Sequence, residues 1–246
     1  MRVLASYNIK GGVGKTASAV NLSYLAAQGG ARTLVWDLDP QGAASFYFRI
    51  KARVKGGGGK LVKGKKDLDK LIKGTNYENL DLLPADFSYR HMDLELEDAR
   101  KPGRRLHKLL KPLADEYDYV FLDCPPSISL VSESVFEAAD VLLVPTIPTI
   151  LSLRTYDQLQ RFLEQSAQTT TMPFFTMVDR RKQLHRMIVD QPPATMSGLL
   201  RTWIPYASEV ERMGLERAAL GAFARRSRAA LAYTALWEEI RSRLGA

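Results

Sequence analysis

The sequence predicts an α/β fold, in which a mostly parallel β-sheet is covered by helices on both faces. Three observations support this prediction. Short apolar segments alternate with helical stretches, a glycine-rich loop joins the first apolar segment to the first helical one, and acidic residues follow several apolar segments directly. No internal repeat and no second apolar core is visible, so we expect residues 1–246 to form one domain.

The predicted elements follow in order along the chain. An apolar strand at residues 3–5 leads into the glycine-rich loop, and Lys15–Gln28 is predicted to be a helix that ends at Gly29 and Gly30. The later apolar segments have the length and composition of buried strands. They are residues 33–36, 118–122, 141–145, 173–178 and 202–205.

Composition sets outer limits on the kind of protein. The sequence is 46% hydrophobic and 25% charged, and no apolar run approaches the roughly 20 residues that a membrane helix requires. The first strand begins at once, without room for a signal peptide, so a cytoplasmic protein is expected. The single cysteine, Cys124, excludes an intramolecular disulfide. We expect it to be a small buried residue rather than a nucleophile, since no histidine is near it in sequence.

The glycine-rich loop is the most informative segment, with the sequence Lys-Gly-Gly-Val-Gly-Lys-Thr at residues 10–16. Glycines allow the backbone N–H groups to point at an anion, and the helix that follows presents its positive end to the same anion. A phosphate-binding loop for a nucleoside triphosphate with magnesium is therefore expected. In such loops Lys15 reaches the β- and γ-phosphates and the Thr16 hydroxyl binds the metal ion. The alternative is an ordinary glycine-rich turn.

The loop also departs from the general pattern, because Ile9 stands where the first glycine would be and Lys10 follows it. Lys15 already occupies the phosphate site of its own chain, so Lys10 is free to reach a phosphate in a facing subunit. Here the sequence resembles the deviant Walker A family, the ParA/MinD-type ATPases with a P-loop NTPase fold. The resemblance implies ATP and Mg²⁺ as ligands, an ATP-dependent homodimer, and a catalytic role for Lys10 across its interface.

Acids at the ends of predicted strands add to this site. Ligands of open parallel sheets bind at the carboxyl ends of the strands, where Asp37, Asp39 and Asp123 fall. Asp123 follows four apolar residues and is the expected magnesium carboxylate. In the family that the sequence resembles, the counterpart of Asp37 supports the metal and that of Asp39 positions the attacking water. The alternative is that Asp37 and Asp39 are solvated acids in a turn.

The resemblance covers most of the chain, best at residues 1–45 and 118–150. It implies a base-binding segment around Ile204 and Pro205. The expected catalytic residues are Lys10, Lys15 and Asp39, and the expected metal-site residues are Thr16, Asp37 and Asp123. The expected nucleotide-binding residues are Gly11, Gly12, Val13, Gly14, Lys15, Thr16, Ala17 and Pro205.

Charge is concentrated in one segment. Residues 49–73 hold ten basic and two acidic residues, so their net charge of +8 equals that of the whole chain. Glycines at positions 56–59 predict a flexible basic loop, which is suited to binding a phosphate backbone without reading sequence. The alternative is a solvated loop without a partner.

A second basic set lies near the C-terminus. It lacks neighbouring aromatic residues that could stack on bases, so contacts to duplex phosphates are favoured. We expect nonspecific binding of double-stranded DNA by both sets. The candidates are Arg217, Arg225, Arg226, Arg228, Lys63, Lys65 and Lys66.

The resemblance therefore implies an ATPase, nucleoid-associated in the cytoplasm, that binds DNA as an ATP-bound dimer and segregates or positions a cargo. A ParB-like or other cargo adaptor would stimulate its weak hydrolysis. The alternative is a MinD-like membrane-associated ATPase, because Tyr233, Leu236 and Trp237 belong to an apolar stripe on the last helix, although packing on the sheet is favoured. A single cysteine excludes a cluster-binding relative of the nitrogenase iron protein.

Overall fold

A computed structural model describes residues 1–62, 68–97, 101–166 and 169–245. A seven-stranded sheet lies at its centre, in the order β3-β4-β2-β5-β1-β6-β7. All neighbouring strands are parallel except β3, which pairs antiparallel with β4 at one edge. The strands are β1 (Arg2–Ser6), β2 (Thr33–Asp37), β3 (Lys73–Gly74), β4 (Leu80–Leu83), β5 (Tyr119–Asp123), β6 (Val141–Thr146) and β7 (Thr170–Phe175).

Helices cover both faces of this sheet, as the sequence predicts. They are α1 (Lys15–Gln28), α2 (Ala43–Tyr47), α3 (Gly57–Val62), α4 (Met92–Glu97), α5 (Arg105–Leu110), α6 (Leu130–Ala138), α7 (Ile150–Ser166), α8 (Gln183–Asp190), α9 (Ser208–Glu216), α10 (Leu220–Phe223) and α11 (Arg228–Leu244). Short 3-10 helices lie at Phe87–His91, Pro102–Arg104 and Lys111–Leu113. No helix in the described ranges is long and apolar enough to cross a bilayer.

Strand alternation divides the core between the two faces. On β1, Val3 and Ala5 join the core cluster that contains α4 to α8, and Leu4 joins the cluster that contains α1 and α11. This is the period of two that a strand buried on both sides produces. The apolar stripe of α11 lies in the second cluster, where the Trp237 ring packs edge-on against Tyr119 of β5 at 5.2 Å. Its packing on the sheet is therefore confirmed.

Two strand predictions need correction. Residues 202–205 do not form a strand, and only an isolated bridge joins Pro205 to Val178, because the facing backbone turns at Met177 just after β7. The strand predicted at 173–178 begins and ends earlier, at Thr170–Phe175. Met177 has a positive φ of 53°, which is incompatible with an extended strand. Strands β3 and β4 were not predicted.

The glycines at positions 56–59 are not wholly in a loop, since α3 begins at Gly57. A Cβ atom at Gly58 would lie 2.6 Å from Cδ1 of Tyr89. The backbone N–H of Gly58 donates a hydrogen bond to Ser88 Oγ at 2.7 Å. Close packing on the helix at Phe87–His91, rather than flexibility, explains a glycine at position 58. Residues 63–67 lie outside the described residues, so the rest of the flexible-loop prediction is not tested.

Two helical glycines give a matched stability test. Added side-chain volume at Gly221 of α10 would overlap the ring of Tyr24 on α1, whereas nothing lies within 4 Å of a Cβ atom at Gly214 of α9. We expect Gly221→Ala to lower the free energy of unfolding by about 1–3 kcal/mol through overpacking. Gly214→Ala is expected to raise it by up to about 1 kcal/mol through helix propensity. Denaturant unfolding measures both, and equal effects would contradict this packing.

Candidate functional site

The glycine-rich loop connects β1 to α1 at the carboxyl edge of the sheet. Gly14 has φ 93° at the N-cap of α1, a left-handed conformation that a residue with a side chain rarely adopts. Nothing lies within 4 Å of a Cβ atom built at Gly11 or Gly12. The loop therefore opens on free space, and its backbone is accessible to a ligand.

Three polar side chains at the ends of β1 and β7 form hydrogen bonds that anchor the loop. Ser6 Oγ donates to the Lys15 carbonyl at 2.9 Å, and Thr176 Oγ1 donates to the Val13 carbonyl at 2.8 Å. Asn8 Nδ2 donates to the Pro145 carbonyl at 2.9 Å. The sequence analysis missed these anchors. The available signal was a buried polar residue at the end of an apolar strand, where it must find a hydrogen-bond partner.

The two loop lysines have different environments. Lys15 is 7% exposed, and its Nζ donates to the Lys10 carbonyl at 2.9 Å. Burial lowers the pKa of Lys15, although the charges of Asp123 and Asp39 oppose this. Lys10 Nζ instead donates to Ser152 Oγ at 3.0 Å, near the start of α7. The ammonium groups of the two lysines thus have different hydrogen-bond partners.

Two acids meet where β2 and β5 end. Asp37 and Asp123 are register partners in this parallel pair, and both are fully buried. Asp37 Oδ2 accepts hydrogen bonds from Ser45 N at 2.8 Å and Ser45 Oγ at 2.7 Å. Ser45 Oγ in turn accepts from Ala85 N at 3.0 Å. Ser45 was not singled out in the sequence, because one serine in a short helix carries no pattern of its own.

Burial shifts the pKa values of both carboxyls upward. Loss of solvation raises the pKa of Asp37 to about 6, against the hydrogen bonds from Ser45. Loss of solvation also raises the pKa of Asp123 well above its usual range, and the charge of Asp37 adds to this. The Thr16 hydroxyl and the Lys15 ammonium favour its charged form. The protein alone therefore stabilises the charged forms of these two carboxyls poorly.

Three carboxylate oxygens of this pair lack a hydrogen-bond partner among the described residues. Oδ1 of Asp37 and both oxygens of Asp123 are buried and accept no hydrogen bond from the described residues. Buried oxygens of this kind need a donor or a cation, and Mg²⁺ binds through one or two carboxylates plus water and substrate phosphates. The described ranges contain no group of three or more His, Cys, Asp or Glu residues that could hold a metal alone. The residues present thus fit a magnesium ion that is shared with a phosphate ligand.

Asp39 lies just beyond β2 and is half-buried. Its Oδ1 accepts from Gln41 N at 2.9 Å, and no described residue donates to its Oδ2. The turn closes at Gly42, which has φ 67° and whose Cβ atom would lie 2.7 Å from the Cβ of Ala52. The negative charge of Asp39 raises the pKa of Asp37, so the two carboxylates interact electrostatically. A carboxylate oxygen is therefore left free beside the loop.

An apolar cavity lies beside the N-terminal end of α1. Gly14 and Ala17 form one wall, and Ile204, Pro205 and Tyr233 contribute others. Its position next to the loop and its apolar lining are suited to a planar base. Pro205 and Ala17 are thus placed together with the loop.

Cys124 follows Asp123 but faces the core. It is 1% exposed, and burial raises the pKa of its thiol well above its usual range. Its Sγ donates to the Leu122 carbonyl at 3.6 Å. The prediction of a buried, unreactive cysteine is confirmed in its burial.

The C-terminal arginines fall into two places. Three exposed arginines lie where the chain enters α11: Arg225 and Arg226 in the preceding turn, and Arg228 as the first residue of the helix. They form no ion pair with a described residue. Arg217 is half-buried, stacks 4.6 Å from the Phe46 ring centroid and donates to the Phe46 carbonyl at 3.1 Å. The candidates Lys63, Lys65 and Lys66 lie outside the described residues.

Arg217 is half of a reciprocal contact. Arg49 follows α2 and donates from Nη2 to the Glu216 carbonyl at 2.8 Å and from Nε to the Arg217 carbonyl at 3.3 Å. Both arginines have left-handed backbones, with φ 60° at Arg49 and 48° at Arg217. Each side chain thus binds carbonyls near the end of the other's helix. This pair connects the helix after the acidic turn to the C-terminal region.

The chain is similar in sequence to known proteins. A family model described as an AAA domain matches residues 1–176. The chain is 32% identical over 197 residues to the sporulation initiation inhibitor protein Soj of Bacillus subtilis, which covers 77% of this chain and 78% of that protein. The chromosome partitioning protein ParA of Myxococcus xanthus is also 32% identical over 197 residues, covering 77% of this chain and 70% of that protein.

The fold is likewise found among solved structures. A cobyrinic acid a,c-diamide synthase from Mycobacterium smegmatis, with a bound ATP analogue and magnesium, has a TM-score of 0.85 at 25% identity and covers 100% of this chain and 97% of that one. From the loop, the acidic strand ends and these similarities together, we conclude that the chain belongs to the ParA-type, deviant Walker A family of ATPases.

Proposed function

We propose that this chain is a single-domain, magnesium-dependent ATPase that forms a homodimer with ATP, binds double-stranded DNA nonspecifically, and segregates or positions a cargo. The observation that carries the proposal is the pair of buried carboxylates, Asp37 and Asp123, whose unpartnered oxygens lie at the strand ends beside a phosphate-binding loop. The names of the curated relatives, which include chromosome partitioning proteins, support the cargo role.

Nucleotide binding follows from the loop. Backbone N–H groups of residues 11–16 are available to the phosphates, and the Lys15 ammonium exchanges the Lys10 carbonyl for a phosphate oxygen. Thr16, Asp37 and Asp123 would hold Mg²⁺, which neutralises phosphate charge when it is bound. Ala17 and Pro205 contact the base in the apolar cavity.

Hydrolysis needs a group that orients water. Asp39 is suited to this role, since the Gln41 N–H fixes one of its oxygens and leaves the other free for a water molecule. The Asp39 carboxylate therefore positions the attacking water next to the γ-phosphate.

Lys10 acts between subunits. In the single chain the Ser152 hydroxyl accepts a hydrogen bond from its ammonium, away from the Lys15 site. We propose that dimer closure transfers the Lys10 ammonium from Ser152 to a phosphate of the facing subunit. Hydrolysis is consequently weak until the dimer forms and a ParB-like or other cargo adaptor stimulates it.

DNA binding uses charge without base readout. Arg225, Arg226 and Arg228 present exposed cations at one turn, and a dimer doubles this set on one particle. Because of their charge, Lys63, Lys65 and Lys66 form a second candidate set for DNA binding. Arg217 contributes only if its side chain leaves the Phe46 ring. A nucleoid-associated location in the cytoplasm follows. The membrane-associated alternative loses its basis here, because the α11 stripe is buried against the sheet.

The two lysines provide the main test of this function. We expect Lys15→Ala to abolish ATP binding, since it removes the ammonium that contacts the phosphates. Lys10→Ala should bind ATP with unchanged affinity but lose dimer formation and turnover. Calorimetric titration with ATP and Mg²⁺, followed by sizing of the complexes, measures both effects. ATP affinity equal to that of the unaltered chain in Lys15→Ala would contradict the proposal.

Asp39 can be tested with a nearly isosteric change. Asp39→Asn keeps an oxygen to accept from Gln41 N but removes the charge that orients water. We expect hydrolysis to fall at least about 100-fold, as is typical of losing an acid–base group, with ATP binding and dimerisation retained. Single-turnover hydrolysis separates these steps, and unchanged turnover would assign the role to another residue.

DNA binding should follow salt and nucleotide state. If a dimer engages about six phosphates, log K should fall with log[salt] at a slope near −5, from roughly 0.9 per phosphate. Neutralising Arg225, Arg226 and Arg228 should weaken binding to all sequences alike and flatten this slope. The control neutralises Arg154 and Arg161, which are exposed cations of α7. Equal affinity with ADP and with ATP would argue for a general polycation effect instead.

A further inference from the structure

Ser45 of α2 holds one oxygen of the metal-site carboxylate Asp37. Both residues are fully buried. The backbone N–H and the hydroxyl of Ser45 donate to Oδ2 of Asp37 at 2.8 and 2.7 Å. Oδ1 of Asp37 accepts no hydrogen bond from any described residue. One oxygen of the carboxylate is therefore bound twice within the fold, and the other is left without a partner.

The proton of the Ser45 hydroxyl has one direction available. Ser45 Oγ accepts a hydrogen bond from the Ala85 N–H at 3.0 Å, which occupies one of its lone pairs. The single hydroxyl proton then points to Asp37 Oδ2, and the separation of 2.7 Å is typical of a strong hydrogen bond to a carboxylate. The Ala85 N–H therefore orients the hydroxyl, and the hydroxyl in turn orients the carboxylate.

The backbone at Ala85 is itself fixed by its surroundings. Ala85 is fully buried, two residues after β4. The next residue, Asp86, accepts hydrogen bonds from Val54 N at 2.7 Å and from Ser88 N at 2.9 Å. The 3-10 helix at Phe87–His91 begins directly after it. These contacts hold the Ala85 N–H in place, so it provides a rigid support for the Ser45 hydroxyl.

The Asp37 carboxylate needs such a support, because the last torsion of an aspartate side chain is broad and only weakly restricted by itself. Two donors on one oxygen define the carboxylate plane. We propose that Ser45 is a positioning residue, whose hydroxyl fixes the Asp37 carboxylate so that Oδ1 stays free for a magnesium ion. Outer partners of this kind orient the groups that bind a metal. Ser45 has this role only if the chain binds Mg²⁺ with ATP, as the proposed function requires.

The test compares nucleotide binding with and without the ion. The full chain is titrated calorimetrically with a nonhydrolysable ATP analogue, once in excess Mg²⁺ and once in EDTA, and the ratio of the two affinities measures what the ion contributes. Ser45→Ala removes the hydroxyl but keeps the backbone donor. We expect it to lower this ratio at least about tenfold, with the affinity in EDTA changed less than twofold. General damage to the fold would instead weaken binding in both conditions.

Ser134→Ala is the matched control. Ser134 of α6 is also fully buried, and its Oγ accepts a backbone N–H, that of Leu106 at 3.1 Å. Both variants leave one buried N–H without its acceptor, so both should unfold at lower denaturant concentration. Only Ser45→Ala should change the affinity ratio.

An unchanged ratio in Ser45→Ala, or an equal fall in Ser134→Ala, would overturn the positioning role. If the unaltered chain bound the analogue equally well in Mg²⁺ and in EDTA, the proposed magnesium dependence would itself be wrong, and the role of Ser45 with it. The behaviour of the unaltered chain thus separates the two failures.

Discussion

The buried carboxylate pair is the constraint on which the site depends. Burial raises the pKa of Asp37 to about 6, so holding this group ionised at neutral pH lowers the free energy of unfolding. The sign follows from the shift. The folded state binds its proton more tightly, so this destabilisation is complete above pH 6 and disappears as the pH falls towards 4. A cation held by these carboxylates would reduce this cost, because it would favour their charged forms.

The order of strands in the sheet brings Asp37 and Asp123 next to each other. β2 and β5 are neighbours, and β5 is also beside β1, so the ends of all three strands lie at one edge. Ser6 and Asp123 are register partners there, as are Asp37 and Asp123. Apolar contacts on both faces fix the register, because a slip of one residue would exchange the two faces of every strand. Core packing therefore determines how closely the acids approach the loop.

Features that depend on local chemistry could be predicted from the sequence. The loop at positions 10–16, helix α1 and the strand-end acids each follow from residue types at fixed spacing, and the structure places Lys15, Asp37 and Asp123 together. Features that depend on contacts between distant segments could not. Ser45 acquires its role only because Ala85 and Asp37 approach it, and Gly58 requires the ring of Tyr89. The segment 202–205 illustrates the reverse case, where an apolar run forms no strand because the facing backbone turns at Met177.

The paired arginines, Arg49 and Arg217, connect helix α2 to the end of α9. Asp37 holds Ser45 of α2, and Arg49, two residues beyond that helix, holds the carbonyls of Glu216 and Arg217. Left-handed backbones at two non-glycine residues each cost roughly 1–2 kcal/mol, so the contacts made by both side chains must offset that strain. A displacement of α2 at the acidic end would therefore strain the Arg49 contacts at its other end. Helix α10 follows Arg217 and packs against α9, and the chain then leads to the exposed arginines at positions 225, 226 and 228.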